Sequence, residues 1–300
     1  MFNIYINTFF KDKTMKKKKI ILVVIIFILF SCSSLTNNLI DGLSKSLYRQ
    51  KDIKLIEDGA PAFLLLIEGI ITTYPDNKDM LMAGIQTFSA YSQAFVNDKV
   101  RQKIFQNKTK EWAIQLLRTY PLYRAYEKTI DKEKREIAFK RFLNSLGKRD
   151  VKYVFWAANA WIMWIIGNLD DMMALLELAE VKEIIGRIKD IDGSFYYGAP
   201  HLFYGVYYSA FPEDFGGNLK KAKEEFDIAL SLSKEDFLTT RFFYAIFYLK
   251  TVKDRDNFVK ILEEIIAVDI DKYPDTRLLN LVIQNQAKNI LENIDNFIRE

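Results

Sequence analysis

One cysteine and one histidine among 300 residues close off much of the chemistry a chain can carry. A lone cysteine, Cys32, permits neither an internal disulfide nor a multi-cysteine metal site. A lone histidine, His201, leaves no histidine pair for a metal or a proton relay. G-x-S-x-G, H-E-x-x-H, G-x-G-x-x-G and a phosphate-binding loop are all missing, and Gly216-Gly217 lacks the Lys-Ser/Thr such a loop requires. No enzyme is expected, and no cofactor or metal. Only six prolines and twelve glycines interrupt the chain, and the period-two alternation of strands is nearly absent. The fold class that remains is all-α.

Long apolar runs are also scarce. The main one, from Ile20 to Phe30, falls short of the roughly 20 residues that span a bilayer. It follows Lys16 to Lys19 and has the length of a secretory h-region, so residues 1–31 read as a signal peptide. A start at Met15 would give that leader its usual shape. Leu29-Phe30-Ser31-Cys32 resembles the lipobox of bacterial lipoproteins, which makes Cys32 the expected lipidation site. At about 0.8 kcal/mol per buried methylene, more than one fatty acyl chain of the palmitate class holds a protein lastingly to a membrane. Ser33, rather than an acidic residue, favours the outer membrane in many double-membraned bacteria, and the choice of membrane stays open.

The formal charge of +4 belongs to the leader. Residues 1–31 hold six lysines and one aspartate, leaving 37 basic and 38 acidic residues from Cys32 onward. No clustered basic surface points to nucleic acid.

Residues 32–58 read as a lipidated tether and residues 59–300 as one helical domain. Pro61 opens a helix through Ile71, and Asp79 to Asn97 follows with Met80, Ala83, Gly84, Phe88, Tyr91 and Phe95 as its stripe. Lys99 to Thr119 is amphipathic. Leu122 to Leu146, with its run Asp131-Lys-Glu-Lys-Arg-Glu, reads as a solvated face or turn. Asn285 and Gln286 interrupt the last apolar stripe as candidates for bonds between helices.

Val151 to Ile166 is apolar on every side and should be a central helix, capped by Asp150 and closed by Gly167. It carries three of the four tryptophans: Trp156, Trp161 and Trp164. Two readings stand: a wide core, or a hydrophobic cavity lined by the tryptophans where Ala157, Ala158 and Ala160 leave room. A buried amide needs partners, so Asn159 either bonds a neighbouring helix or faces that cavity.

From Phe195 to Leu232 the pattern is a pair of antiparallel helices. Pro200 suits a first turn, Pro212 ends that helix near Ala210, Gly216-Gly217 turns, and Asn218 caps the next. Ala222, Phe226 and Ala229, with Gly205 and Tyr208 before them, follow the small–aromatic–small spacing of a degenerate tetratricopeptide repeat. The expected architecture is a bundle or superhelix of antiparallel hairpins with such TPR-like repeats. His201 and Tyr204 lie on its aromatic helix, where a single histidine is more often a hydrogen-bonded core residue than a catalyst.

Tyr153-Val-Phe-Trp-Ala-Ala-Asn-Ala-Trp-Ile-Met-Trp-Ile resembles a signature of the T-component (TatT) lipoproteins of tripartite ATP-independent periplasmic (TRAP) transporters. So do Phe195-Tyr-Tyr-Gly-Ala-Pro-His-Leu-Phe-Tyr-Gly, the Phe211-Pro-Glu-Asp-Phe-Gly-Gly turn and Ala222-Lys-Glu-Glu-Phe-Asp-Ile-Ala-Leu, with a likeness from about Gly59 onward. The resemblance implies a periplasmic, lipid-anchored bundle of cryptic TPR-like repeats with a hydrophobic channel. It implies a periplasmic solute-binding (P-component) protein as partner and a homotrimer. Trp156, Asn159, Trp164, His201 and Tyr204 sit in the matching motifs and, with Trp161, are the channel candidates. The alternative is a TPR-like scaffold for envelope assembly with no ligand channel.

Replacing Cys32 with serine is expected to remove all acyl mass and move the protein from the membrane to the soluble fraction. Mass spectrometry and fractionation of cells expressing Cys32→Ser check this.

Overall fold

Asp52 starts the first long helix by accepting a hydrogen bond from the Leu55 amide at 3.0 Å. The computed structural model describes residues 42, 46, 49–233 and 235–295; the predicted leader, Cys32 and the tether as far as residue 41 lie outside them. Of two compact units, Leu47–Glu300 holds every helix named below.

Helix α1 (Ile53–Thr73) runs straight through Pro61, where the sequence places its start. Proline cannot donate to the carbonyl four residues back. Here the Tyr91 hydroxyl donates to that carbonyl, Glu57 O, at 3.4 Å. The stripe Ile56, Ala60, Leu64, Ile67 and Ile71 therefore stays continuous, and residues assigned to the tether become helix. Asn77 caps α2 (Lys78–Phe95) and Asp98 caps α3 (Lys99–Arg118), each with its side-chain oxygen on first-turn amides.

The charged stretch expected to be a solvated face is instead two helices, α4 (Pro121–Lys128) and α5 (Lys132–Ser145). Their charges are exposed, but Tyr123, Tyr126, Phe139 and Phe142 interlock at centroid distances of 4.8 to 5.5 Å. The Tyr126 hydroxyl donates to Glu180 and accepts from Arg135, which ties this pair to the helix carrying Glu180.

Helix α6 (Val151–Ile166) is followed by α7 (Met172–Asp192), α8 (Phe195–Ala210) and α9 (Leu219–Ser233). Then come α10 (Leu238–Phe243), which widens into a π turn at Tyr244–Leu249, α11 (Arg255–Ala267) and α12 (Arg277–Glu292). Most helices pack on their neighbours in sequence; α6 also packs against α2 and α3, which makes it the long-range centre. Asp150 does not cap it; its carboxylate accepts from the Gly147 amide and the Tyr120 hydroxyl, both at 3.0 Å.

Helices α8 and α9 are antiparallel. The Asn218 amide donates to Tyr208 O at 2.9 Å, and further along a side chain on Gly205 would meet the Phe226 ring. Phe226 is fully buried, worth roughly 1.5–3 kcal/mol relative to exposure. Gly216 takes φ 90° in the intervening turn, which favours glycine, and Asn218 caps α9 through the Lys221 amide at 2.9 Å.

In α12 the polar residues that matter are Asn280 and Gln284, not Asn285 and Gln286, which are exposed. Asn280 Oδ1 accepts from the Leu238 amide, and Gln284 Nε2 donates to Ile265 O and Val268 O at the end of α11. The α10–α12 core, built on Phe242, Phe258, Leu262 and Ile283, is thus held in register by buried amides.

The chain entering α1 also meets the far end of the sequence. Arg49 pairs with Asp275 and Lys51 with Asp271, and the Arg277 guanidinium donates to Gln50 O at 2.8 Å and to Asp271 at 2.6 Å. The Arg277 and Lys51 cations hold the Asp271 carboxyl below its usual range.

Gly205→Ala would place a methyl 2.8–3.0 Å from three Phe226 ring atoms. We expect a net loss of about 1–2 kcal/mol despite the better helix propensity of alanine. Gly59→Ala, with nothing within 4 Å of the new atom, should gain up to about 1 kcal/mol. Urea midpoints of the two variants test the contrast.

Candidate functional site

The aromatic residues singled out in the sequence divide into three groups in space. On α6 the alanines 157, 158 and 160 are fully buried, so they bring neighbouring helices close. Trp161, 3 % exposed, donates its indole N–H to Glu177 on α7, and Lys110 on α3 pairs with the same carboxylate at 2.7 Å. Trp164 donates to Asn107 at 2.7 Å, and the Lys110 ammonium sits 3.2 Å above its ring. A cation over an indole face is worth about 0.5–2 kcal/mol. Both rings are therefore committed to polar partners on α3 and α7. Gly167 closes the helix as expected and also makes room: the Gln106 oxygen lies 2.0 Å from where its Cβ would be.

Trp156 lies on another face, in a half-buried cluster with Phe155, Phe195, Tyr196, Tyr197 and Phe237. Tyr196 meets Trp156 edge-on at 4.9 Å, and Tyr197 stacks on Phe237 at 4.5 Å with 7° between the rings. A left-handed turn places them: Tyr196, Tyr197 and Gly198 have φ of 45°, 60° and 77°. That conformation costs a non-glycine residue about 1–2 kcal/mol, and strain of this kind concentrates at functional sites. Gly198 also needs its missing Cβ, which would meet Leu232 at 2.9 Å. Pro200 then enters the right-handed part of α8, as its fixed φ suits. Burial, then the charges of Asp236 and Asp275, push the Tyr197 hydroxyl up, so it stays a neutral phenol.

Asn159 is partly buried and makes no side-chain hydrogen bond among the described residues. With Trp156 and Met163 it occupies one face of α6, at positions i, i+3 and i+7.

His201 and Tyr204 belong to a third group between α7, α8 and α9. His201 Nδ1 lies 2.6 Å from Glu225, and Lys189 reaches the other carboxylate oxygen at 2.5 Å. The Tyr204 hydroxyl donates to Lys182 O at 2.9 Å beneath the absent side chain of Gly186, and burial pushes its pKa up. These contacts fasten three helices together and engage His201 Nδ1, both Glu225 oxygens and the Tyr204 hydroxyl.

A small cleft was missed by sequence reasoning. Ser89, Ser92 and Gln93 on α2, Phe105, Gln106 and Thr109 on α3, and Met163 on α6 line a space of about 30 Å³. Gln106 Oε1 is buried without a donor, and the Ser89 and Ser92 hydroxyls make no hydrogen bond among the described residues. The signal available in the sequence was the polar residues Ser89, Ser92 and Gln93 interleaved with the apolar stripe of α2.

A family model described as "TRAP transporter T-component" matches residues 49–298. A search among curated proteins finds no match.

Glu225 is the shared acceptor of the α7–α9 junction and is 14 % exposed. Glu225→Gln would leave Lys189 facing a neutral amide, and we expect stability to fall by about 1–3 kcal/mol. The urea midpoint of this variant checks it.

Proposed function

The chain belongs to the TRAP transporter T-component family, and on that premise we propose that it is a periplasmic lipoprotein, anchored through Cys32, that docks a solute-binding P-component. Its helical hairpins act as TPR-like units that present a surface to that partner. It works as a homotrimer and performs no chemical conversion. The face of α6 that carries Trp156, Asn159 and Met163 lines a hydrophobic channel offered to the ligand.

The observation that carries the reading is the family match over residues 49–298, nearly the whole described chain. The α6 face supports the channel. Trp156 and Asn159 remain partly accessible beside strained tyrosines, whereas Trp161 and Trp164 are held by Glu177, Asn107 and Lys110. A channel wall needs apolar surface with a few unspent polar groups, and Asn159 is such a group. Trp161, Trp164, His201 and Tyr204 then serve the framework around the channel. Among the described residues no helix is long and apolar enough to cross a membrane, so membrane attachment falls to the lipid.

The scaffold reading, with no channel, has one feature in its favour: the tight aromatic packing of Phe155, Phe195 and Tyr196 behind Trp156. Trp156→Ala separates the two. The channel reading expects weaker binding of apolar probes with little change in partner capture, and the scaffold reading expects no probe binding to lose.

The docking proposal is tested by co-purification of the tagged chain with a periplasmic solute-binding P-component from the same organism. A stable complex is expected, and failure to associate at micromolar concentrations of both proteins would remove it.

A further inference from the structure

We propose that an exposed apolar patch where α3, α6 and α7 meet rests on the lipid surface, so that the anchored protein touches its membrane with its folded body as well as its acyl chains. The inference rests on the reading of Cys32 as a lipid anchor and adds the face that the bilayer sees.

The patch is built from Val100 and Ile104 on α3, Leu169 in the turn after α6, and Met172, Met173 and Leu176 on α7, each between 53 and 71 % exposed. Polar ties hold these segments side by side. Lys103 reaches Asp170 at 4.0 Å, Trp164 donates to Asn107 at 2.7 Å, and Lys110 pairs with Glu177 at 2.7 Å. Exposed apolar side chains scattered singly need no explanation, whereas a contiguous group marks a surface that meets something. The two methionines are unbranched and adaptable, which suits a fluid partner better than a fitted one.

The place where the chain enters the domain says what that partner is. The Tyr91–Glu57 bond sets the end of α2 beside the start of α1, and α3 begins just after α2. The Lys103–Asp170 pair then brings the start of α7 to the start of α3. The patch therefore lies at the end of these helices where the polypeptide arrives through Arg49 and Asp52. Residues 33–52, 20 in all, separate Cys32 from α1. Fully extended, such a length reaches about 70 Å, and a flexible chain averages roughly 25 Å. An anchor at Cys32 thus keeps this end of the helices close to the bilayer.

Charge around the patch is balanced. Lys99, Arg101 and Lys103 are exposed at the start of α3, while Asp98 and Asp171 cap α3 and α7 and Asp170 pairs with Lys103. Three cations against three carboxylates give no net pull toward anionic lipid. The long basic side chains can keep their charge at headgroup level while their stems lie on apolar surface. Contact is then apolar, and a zwitterionic bilayer suffices.

Without Cys32 the chain has no thiol, so one introduced cysteine reports one position. The mature chain carrying Cys32→Ser and Met172→Cys is labelled with an environment-sensitive fluorophore. An N-terminal hexahistidine tag attaches it to phosphatidylcholine vesicles doped with a nickel-chelating lipid. An interfacial face sinks roughly 5–10 Å into the headgroup boundary, so emission from position 172 should shift to the blue and brighten about two-fold or more. The same label on Asp76→Cys, in the turn at the opposite end of α1 and α2, should not respond. Adding Leu169→Asp and Leu176→Asp should abolish the change at 172, and high salt should leave it intact. A probe at 172 that stays dark, responds no more than the one at 76, or survives the aspartates overturns the inference and leaves the anchor standing. Loss of the signal in salt also overturns it, since the contact would then be electrostatic. So does brightening without vesicles as protein concentration rises, which assigns the face to a second copy. Absence of acyl mass on Cys32 in cells removes the anchor reading and this inference with it, and mass spectrometry rather than vesicles reads that outcome.

Discussion

Close approach of helices, made possible where a side chain is missing, is the constraint on which the arrangement depends. At Gly84, Ile71 from α1 and Trp112 from α3 both occupy space that a Cβ would claim, so three helices meet at one atom-sized gap. At Gly186 the gap admits the Tyr204 hydroxyl, and at Gly205 it admits the face of Phe226. The alanines of α6 do the same for the centre. Large rings set into such gaps gain dispersion contacts on all sides, and the helix spacing that results is narrow and unforgiving of added volume. The abundance of aromatics is thus tied to the placement of a few glycines.

That packing also explains which parts of the molecule were legible in the sequence. The all-helical class, the cap at Asn218 and the hairpin around Gly216 follow from local rules, because a cap or a turn is decided within a few residues. Pro61 misled, since its remedy is Tyr91, thirty residues away, and no local rule sees a hydroxyl arriving from another helix. In the charged stretch before Ser145, the run of lysines and glutamates outweighed Tyr123, Tyr126, Phe139 and Phe142, although their spacing of three is helical. Asn285 and Gln286 stood out as polar neighbours, while the buried amides are Asn280 and Gln284, one turn apart on the inner face. Of the candidate site residues, Trp156 and Asn159 lie on one accessible face and the others do not. Sequence separates indoles from aliphatics but not one helix face from another when every face is apolar.

The left-handed turn at Tyr196–Gly198 sits where α6, α8 and the start of α10 converge. Two tyrosines held there are positioned more rigidly than side chains on a loop, because their rings are clamped by Trp156 on one side and Phe237 on the other. The strain is offset by that clamp. Under the proposed channel reading, a ligand lying along α6 would meet a wall that is already shaped, which keeps the ordering cost of binding low. Phe237 is itself fixed through its neighbours, since Thr276 and Asn280 both donate to Asp236 O. The aromatic wall and the C-terminal core therefore share one foundation.

The pairs joining Arg49 and Lys51 to Asp275 and Asp271 give the molecule a mechanical property. Tension along the polypeptide from its N-terminal side reaches these bonds before it reaches any buried core, and it reaches α1 and the start of α12 together. Exposed ion pairs contribute little because water and salt screen them, so the junction is soft and sheds load early. Ionic strength sets that softness, because screening acts on surface charges and barely touches the aromatic interior. A weak, salt-tuned junction thus stands in front of a core that keeps its shape.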